Sequence, residues 1–147
     1  MSLKFAAIGN LMALYLITGA EDYRTRAEAI LHAFAGDIGR NVFSHAGLLS
    51  GAIEVMAPAH VIIVVPEGGE AHQLRQALTR VSLPGAMVQE VGEAETLPAT
   101  SPAHGKPALD GKPTAYVCIG PQCSAPVTDA GALIETVKVA RAQASGR

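Results

Sequence analysis

His60-Val61-Ile62-Ile63-Val64-Val65 is the stretch whose reading decides the fold. A continuous β-branched run of this length, with no polar alternation, is a strand covered on both faces. Pro66-Glu67-Gly68-Gly69 then turns the chain. Glu70 to Val81 follows as a helix, with Leu74, Ala77, Leu78 and Val81 inward. Pro84-Gly85 leads into a second strand, Ala86 to Val91. Strand, helix and strand in this order form a βαβ unit, whose crossover is expected to be right-handed. From Gly92 to Pro113 the chain is loop-like, and an unstructured connection of that length is usually functional or mobile. Thr114 to Ile119 is a third strand, and Gly120 to Val127 reads as a tight loop that contains Cys123. Thr128 or Asp129 caps a last helix that ends near Gln143.

Upstream of Pro58 the pattern is helical. Phe5 to Ile17 is apolar nearly all round, which suits a helix buried between others. Gly19 ends it, and Glu21 and Asp22 open the next helix at its positive end. That helix runs to about Gly36, with Tyr23, Ala27, Ile30, Leu31 and Phe34 on one face. So short a link makes the two helices antiparallel neighbours. A third helix starts at the Ser44 cap and reaches Met56, with Leu48, Leu49, Ala52, Ile53 and Met56 as its apolar stripe. The expected fold is therefore α/β, with α+β as the variant. Antiparallel N-terminal helices (1–57) pack on a small, mostly parallel three-stranded sheet with a βαβ unit (58–147).

The chain has 147 residues, 49% of them hydrophobic and 16% charged, with a net charge of −2. Eleven basic against thirteen acidic residues argue against a dedicated nucleic-acid binder, because phosphate neutralisation needs a basic excess. No uninterrupted apolar run is long enough for a membrane span. The opening helix lacks a strong basic region and a small-residue cleavage site, so it does not read as an export signal. A cytoplasmic setting is expected, where a cysteine pair is more often free, redox-active or metal-linked than a structural staple.

Cys118 ends the third strand and Cys123 lies five residues on. They form a candidate thiol pair, with plain core and turn packing as the alternative. A zinc site would need two more ligands, and only His104 lies near in sequence, so no metal or cofactor is implied. His104, Lys106, Asp110 and Lys112 form a candidate loop site before the third strand, since ligands collect outside the carboxyl ends of strands in open α/β sheets. Glu67 and Glu70 oppose an anion at the first turn. His45 is a candidate pocket residue at the start of the third helix, with an exposed helix-start histidine as the alternative. Glu21-Asp22 and Glu93-Glu95 lack the constrained spacing of a glycosidase pair, and no G-x-S-x-G is present. His60 reads as a strand-boundary residue, while His32 and His72 read as solvated helix residues.

Two stretches carry a family resemblance. L-M-A-L-Y-L-I-T-G-A-E-D-Y-R-T-R-A-E-A-I-L, from Leu11 to Leu31, resembles an inner/outer helix pair of a six-hairpin helical toroid. D-G-K-P-T-A-Y-V-C-I-G-P-Q-C-S-A-P-V-T-D, from Asp110 to Asp129, is more specific. Together they are similar to the C-terminal end of the thioredoxin-domain-containing proteins related to spermatogenesis-associated protein 20. The resemblance spans most of the chain, from about Phe5 to Ala140. Long members of that family carry a thioredoxin-like domain, then a toroid similar to glycosidases and N-acylglucosamine 2-epimerases. This chain has no C-x-x-C and only a few toroid-type helices, so the redox and sugar chemistry of those parts is not carried over. The lack of a catalytic constellation and the surplus of apolar helices favour a non-catalytic, dimerising scaffold or accessory module, the terminal piece of that family. The expected homodimer forms through the N-terminal helices, whose apolar faces would otherwise lack cover, and the family layout adds a thioredoxin-like partner domain. Two other readings stand beside it. One is a thiol/disulfide-active module using Cys118 and Cys123. The other is a site for a sugar or phosphate at the carboxyl edge of the sheet.

Overall fold

The computed structural model describes residues 3–40 and 46–145. Contacts divide the chain into two compact units, one of residues 1–58 with 100–102, the other of residues 59–99 with 103–147. Ser44 and the candidate pocket residue His45 lie outside the described residues.

The first unit holds α1 (Leu3–Thr18), α2 (Glu21–Arg40) and α3 (Ala46–Met56). Gly19 ends α1 with a φ of +70°, and its N–H donates to the Tyr15 carbonyl at 2.7 Å. This is a left-handed glycine closing the last turn. A Cβ there would run into the Thr100 carbonyl, so the position needs glycine for space as well as for φ. The Thr100 hydroxyl donates to the last α1 carbonyl, that of Thr18, at 2.6 Å. The core is Ile8 and Met12 from α1, Ala27 from α2, and Leu48 and Val55 from α3. Gly51 lets α3 approach α1, because a Cβ there would sit 3.1 Å from the Ile8 side chain. The cover is incomplete. Ile8, Met12 and Leu16 of α1 are buried, but Leu14 and Ile17 are exposed. On α3 the expected stripe splits: Leu48 points inward, while Leu49, Ile53 (61% exposed) and Met56 (82%) face out.

The second unit is α/β. Its order is β1 (Ala59–Val65), α4 (His72–Leu78), β2 (Met87–Gly92), β3 (Thr114–Ile119), β4 (Gln122–Cys123) and α5 (Ala130–Ser145). The sheet order is β2-β1-β3-β4. β1 and β2 are parallel, as the βαβ pattern predicts. The three-stranded, mostly parallel sheet expected from sequence needs correction. β3 pairs antiparallel with β1, β4 pairs antiparallel with β3, and the sheet is four-stranded and mixed. The physical reason is the connection into β3. Parallel pairing needs a crossover, usually a helix, and the segment from Gly92 to Pro113 forms none.

β1 is buried from Ala59 to Val64. On one face Val61 and Ile63, with Ala115 and Val117 of β3, pack on Leu74 and Ala77 of α4 and Leu133 and Val137 of α5. On the other, Ile62 and Val64, with Val91, Tyr116 and Cys118, pack on Leu97, Ala103 and Ala108. The long segment is therefore the lid of the second face, which no helix of this unit covers. α4 is shorter than the Glu70–Val81 expectation, because the chain turns at Thr79-Arg80. Asp129 caps α5, accepting from the Ala132 N–H at 2.9 Å. Replacing Ile63 with Ala should cost about 2–5 kcal/mol in urea unfolding, since nothing can collapse into a site packed on both sides. Replacing exposed Lys138 with Ala should change stability by less than about 0.5 kcal/mol.

Candidate functional site

The densest group of chemically capable residues lies where β1, β3 and β4 meet. Gly120, with φ +56°, and Pro121 make a two-residue turn between β3 and β4. Ile119 then faces Gln122, and one step further Cys118 faces Cys123. A separation of five is what a two-residue turn requires of such a cross-strand pair. The two are joined as a disulfide, with Cα atoms 3.9 Å apart. Ser124 locks the hairpin beyond it: its hydroxyl accepts from the Val117 N–H at 3.1 Å, and its own N–H donates to the Val117 carbonyl at 2.7 Å. The two sulfurs belong to unlike environments. Cys118 is 4% exposed, whereas Cys123 lies on the exposed edge strand. So short a loop gives the cross-link only about 2 kcal/mol of chain-entropy stabilisation.

His60 stands directly opposite Cys118 in the β1–β3 ladder, so the two side chains share a face. It is 1% exposed, not the boundary residue expected from sequence. Both its ring nitrogens, and the buried Gln89 Oε1 from β2, lack a hydrogen-bond partner. Burial pushes the His60 pKa down to about 4, and the Lys106 charge acts in the same direction. The Gln89 side chain works the other way, more weakly than burial but more strongly than Lys106. The ring is neutral at neutral pH.

The four residues of the candidate loop site separate. His104 and Lys106 line a pocket of about 290 Å³ at the carboxyl end of β2, together with Glu93, Glu95 and Thr96. His104 Nδ1 lies 3.1 Å from the Leu97 carbonyl. A carbonyl can only accept, so Nδ1 carries the hydrogen and Nε2 keeps its lone pair when the ring is neutral. Lys106 Nζ lies 4.9 Å from the centre of the Tyr116 ring, in cation–π range. Glu93 and Glu95 are tied to the backbone, accepting from the Ala108 and Gly92 N–H groups at 3.1 and 3.2 Å. Asp110 and Lys112 belong instead to a tight turn, with Asp110 and Gly111 at φ 51° and 64° and Leu109 bridged to Lys112. Buried Thr114 holds that turn, its hydroxyl accepting from the Leu109 N–H and donating to the Lys112 carbonyl. A second concavity, about 580 Å³, runs between the β4 edge and α5, lined by Ile119, Gln122, Cys123, Val139 and Gln143 among others. Among the described residues, no three His, Cys, Asp or Glu side chains converge as metal ligands.

Sequence reading misses two features of this site. The signal for the hairpin is Gly120-Pro121, a turn dipeptide directly after an apolar strand. His60 carried a weaker one, an ionisable residue opening a run that must be buried on both faces.

No protein-family model, curated protein or solved structure matches this chain.

His60 also predicts a pH dependence. Below pH 6.5 the unfolded chain takes up a proton that the folded ring refuses until about pH 4. Stability therefore falls as pH falls through that window and is insensitive to His60 above it. The full effect is roughly 3 kcal/mol by the pKa–energy relation. Urea unfolding of the wild type and of His60→Leu at pH 7 and pH 4.5 should show the wild type losing more stability. The comparison cancels other groups such as Glu54, whose pKa burial raises.

Proposed function

We propose that this chain is a non-catalytic accessory module of the thioredoxin-domain-containing family it resembles, and that it associates with a second copy through its N-terminal helices. One observation carries the reading: the three-helix unit leaves a continuous apolar stripe uncovered. Leu49, Ile53 and Met56 recur along α3 at helical spacing on the side opposite buried Leu48 and Val55. Leu14 and Ile17 add exposed apolar surface on α1. Neither exposed face carries a charge, for α1 has no ionisable group between Phe5 and Thr18 other than Tyr15, and Glu54 lies off the α3 stripe. Two copies can therefore meet without burying a charge, and a twofold interface presents the same stripe from both sides. The family resemblance adds a thioredoxin-like domain as a further partner. No helix among the described residues is long and apolar enough to cross a membrane.

Small-ligand binding at the carboxyl edge of the sheet is the second reading. The pocket holding His104 and Lys106 favours it, while the carboxylates of Glu93 and Glu95 weigh against a phosphate. A neutral sugar suits the lining better than an anion.

Light scattering of the full chain at micromolar concentration should give twice the monomer mass. The double substitution Ile53→Asp, Met56→Lys should return it to the monomer with an unchanged far-ultraviolet circular dichroism spectrum. A wild-type monomer under those conditions would contradict the reading.

A further inference from the structure

Nothing in the association of the helices uses the Cys118–Cys123 pair or the histidine beside it. Three observations meet there. The disulfide joins one buried and one exposed residue, so a solution thiol can reach only the Cys123 side. The cross-link joins residues five positions apart that a tight turn and the Ser124 hydrogen bonds already hold, so folding needs it little. On the face that the buried sulfur shares with Tyr116 lies the Lys106 ammonium, 4.9 Å from the centre of the Tyr116 ring, a charge that favours a thiolate at Cys118.

We propose that Cys118–Cys123 is a thiol–disulfide exchange site that a dithiol substrate reduces stoichiometrically, with Cys123 the sulfur attacked and Cys118 the sulfur that leaves. The substrate is a small or protein-borne dithiol. Its first thiolate attacks Sγ of Cys123. A substrate–Cys123 bond forms, the Cys118–Cys123 bond breaks, and the electron pair stays on Cys118. That thiolate, favoured by the Lys106 charge, takes a proton from water. The second substrate thiolate then attacks the substrate's own sulfur in the mixed disulfide. It closes the substrate disulfide and releases Cys123, which takes a proton from water. The substrate loses two electrons and two protons, and the cysteine pair gains them. In reverse, Cys118 gives its proton to water before its thiolate attacks a mixed disulfide on Cys123. The groups of this unit on the Cys118 face are His60 from β1, Tyr116 from β3, Gln89 from β2, and Lys106 from the long segment, the one charge among them. The His60 ring is neutral and takes no proton in either direction.

The test uses the full chain and two probes, dithiothreitol and glutathione disulfide. Under native conditions the wild-type disulfide should open at a rate proportional to dithiothreitol concentration. A rate independent of the reagent, set by unfolding, would make the bond a structural staple and overturn the proposal. Glutathione should load onto Cys123 in Cys118→Ser at least tenfold faster than onto Cys118 in Cys123→Ser, and equal rates would overturn the assignment of roles. Ring closure, in which Cys118 displaces glutathione from Cys123, should climb about tenfold per pH unit below the Cys118 pKa, as solution deprotonation demands. A flat profile from pH 5 to pH 8 would overturn this proton route.

Discussion

Strand β1 has a neighbour on each edge and a dry layer on each face. Every side chain from Ala59 to Val64 is buried, and each layer touching it is drawn from a different part of the chain. Helices α4 and α5 cover one face. The segment from Leu97 to Ala108 covers the other, through Leu97, Ala103 and Ala108. A strand of this kind cannot slip by one residue without exchanging its two apolar sets between differently shaped covers. The register with β2 and β3 follows, and with it the position of the hairpin that carries the cysteines.

The same constraint accounts for the unusual chemistry beside the disulfide. His60 occupies a position the sheet buries, so its ring is neutral and its nitrogens are without partners. Cys118 shares that face and that burial, while Cys123, one strand further out, lies at the edge of the sheet. A gradient from buried to open across three adjacent positions is what makes the two sulfurs chemically unequal. In the helical unit the balance runs the other way. Ile8, Met12, Ala27, Leu48 and Val55 form a small core, and Leu49, Ile53 and Met56 of α3 are exposed.

Much of this architecture is legible from residues alone. The β-branched run at 60–65 specifies a doubly covered strand, the Pro-Gly punctuation at 84–85 and 66–69 marks the turns of the βαβ unit, and Asp129 marks the last cap. Strand direction for β3 is not legible in this way, because β-branched character says that a strand is buried and not which way it runs. The loop-like reading of residues 92–113 is sound as secondary structure, yet its covering role depends on three scattered apolar residues, Leu97, Ala103 and Ala108, that have no periodicity. Asp110-Gly111 did carry a signal. Asp-Gly suits paired positive-φ positions, and it places Asp110 and Lys112 in a turn away from His104 and Lys106. The thiol pair is visible in sequence, but the buried ring beside it is not: His60 lies far from both cysteines along the chain and comes opposite Cys118 only through strand pairing.

Native-state hydrogen exchange tests the double cover most directly. The amides of Val61 to Val64 should exchange only by global unfolding, with an opening free energy equal to that from urea denaturation, and with no separate, easier opening of the 97–109 lid exposing them first. Exchange of these amides at a markedly lower free energy, in step with the long segment, would show that the second face is not a closed layer and would contradict the account.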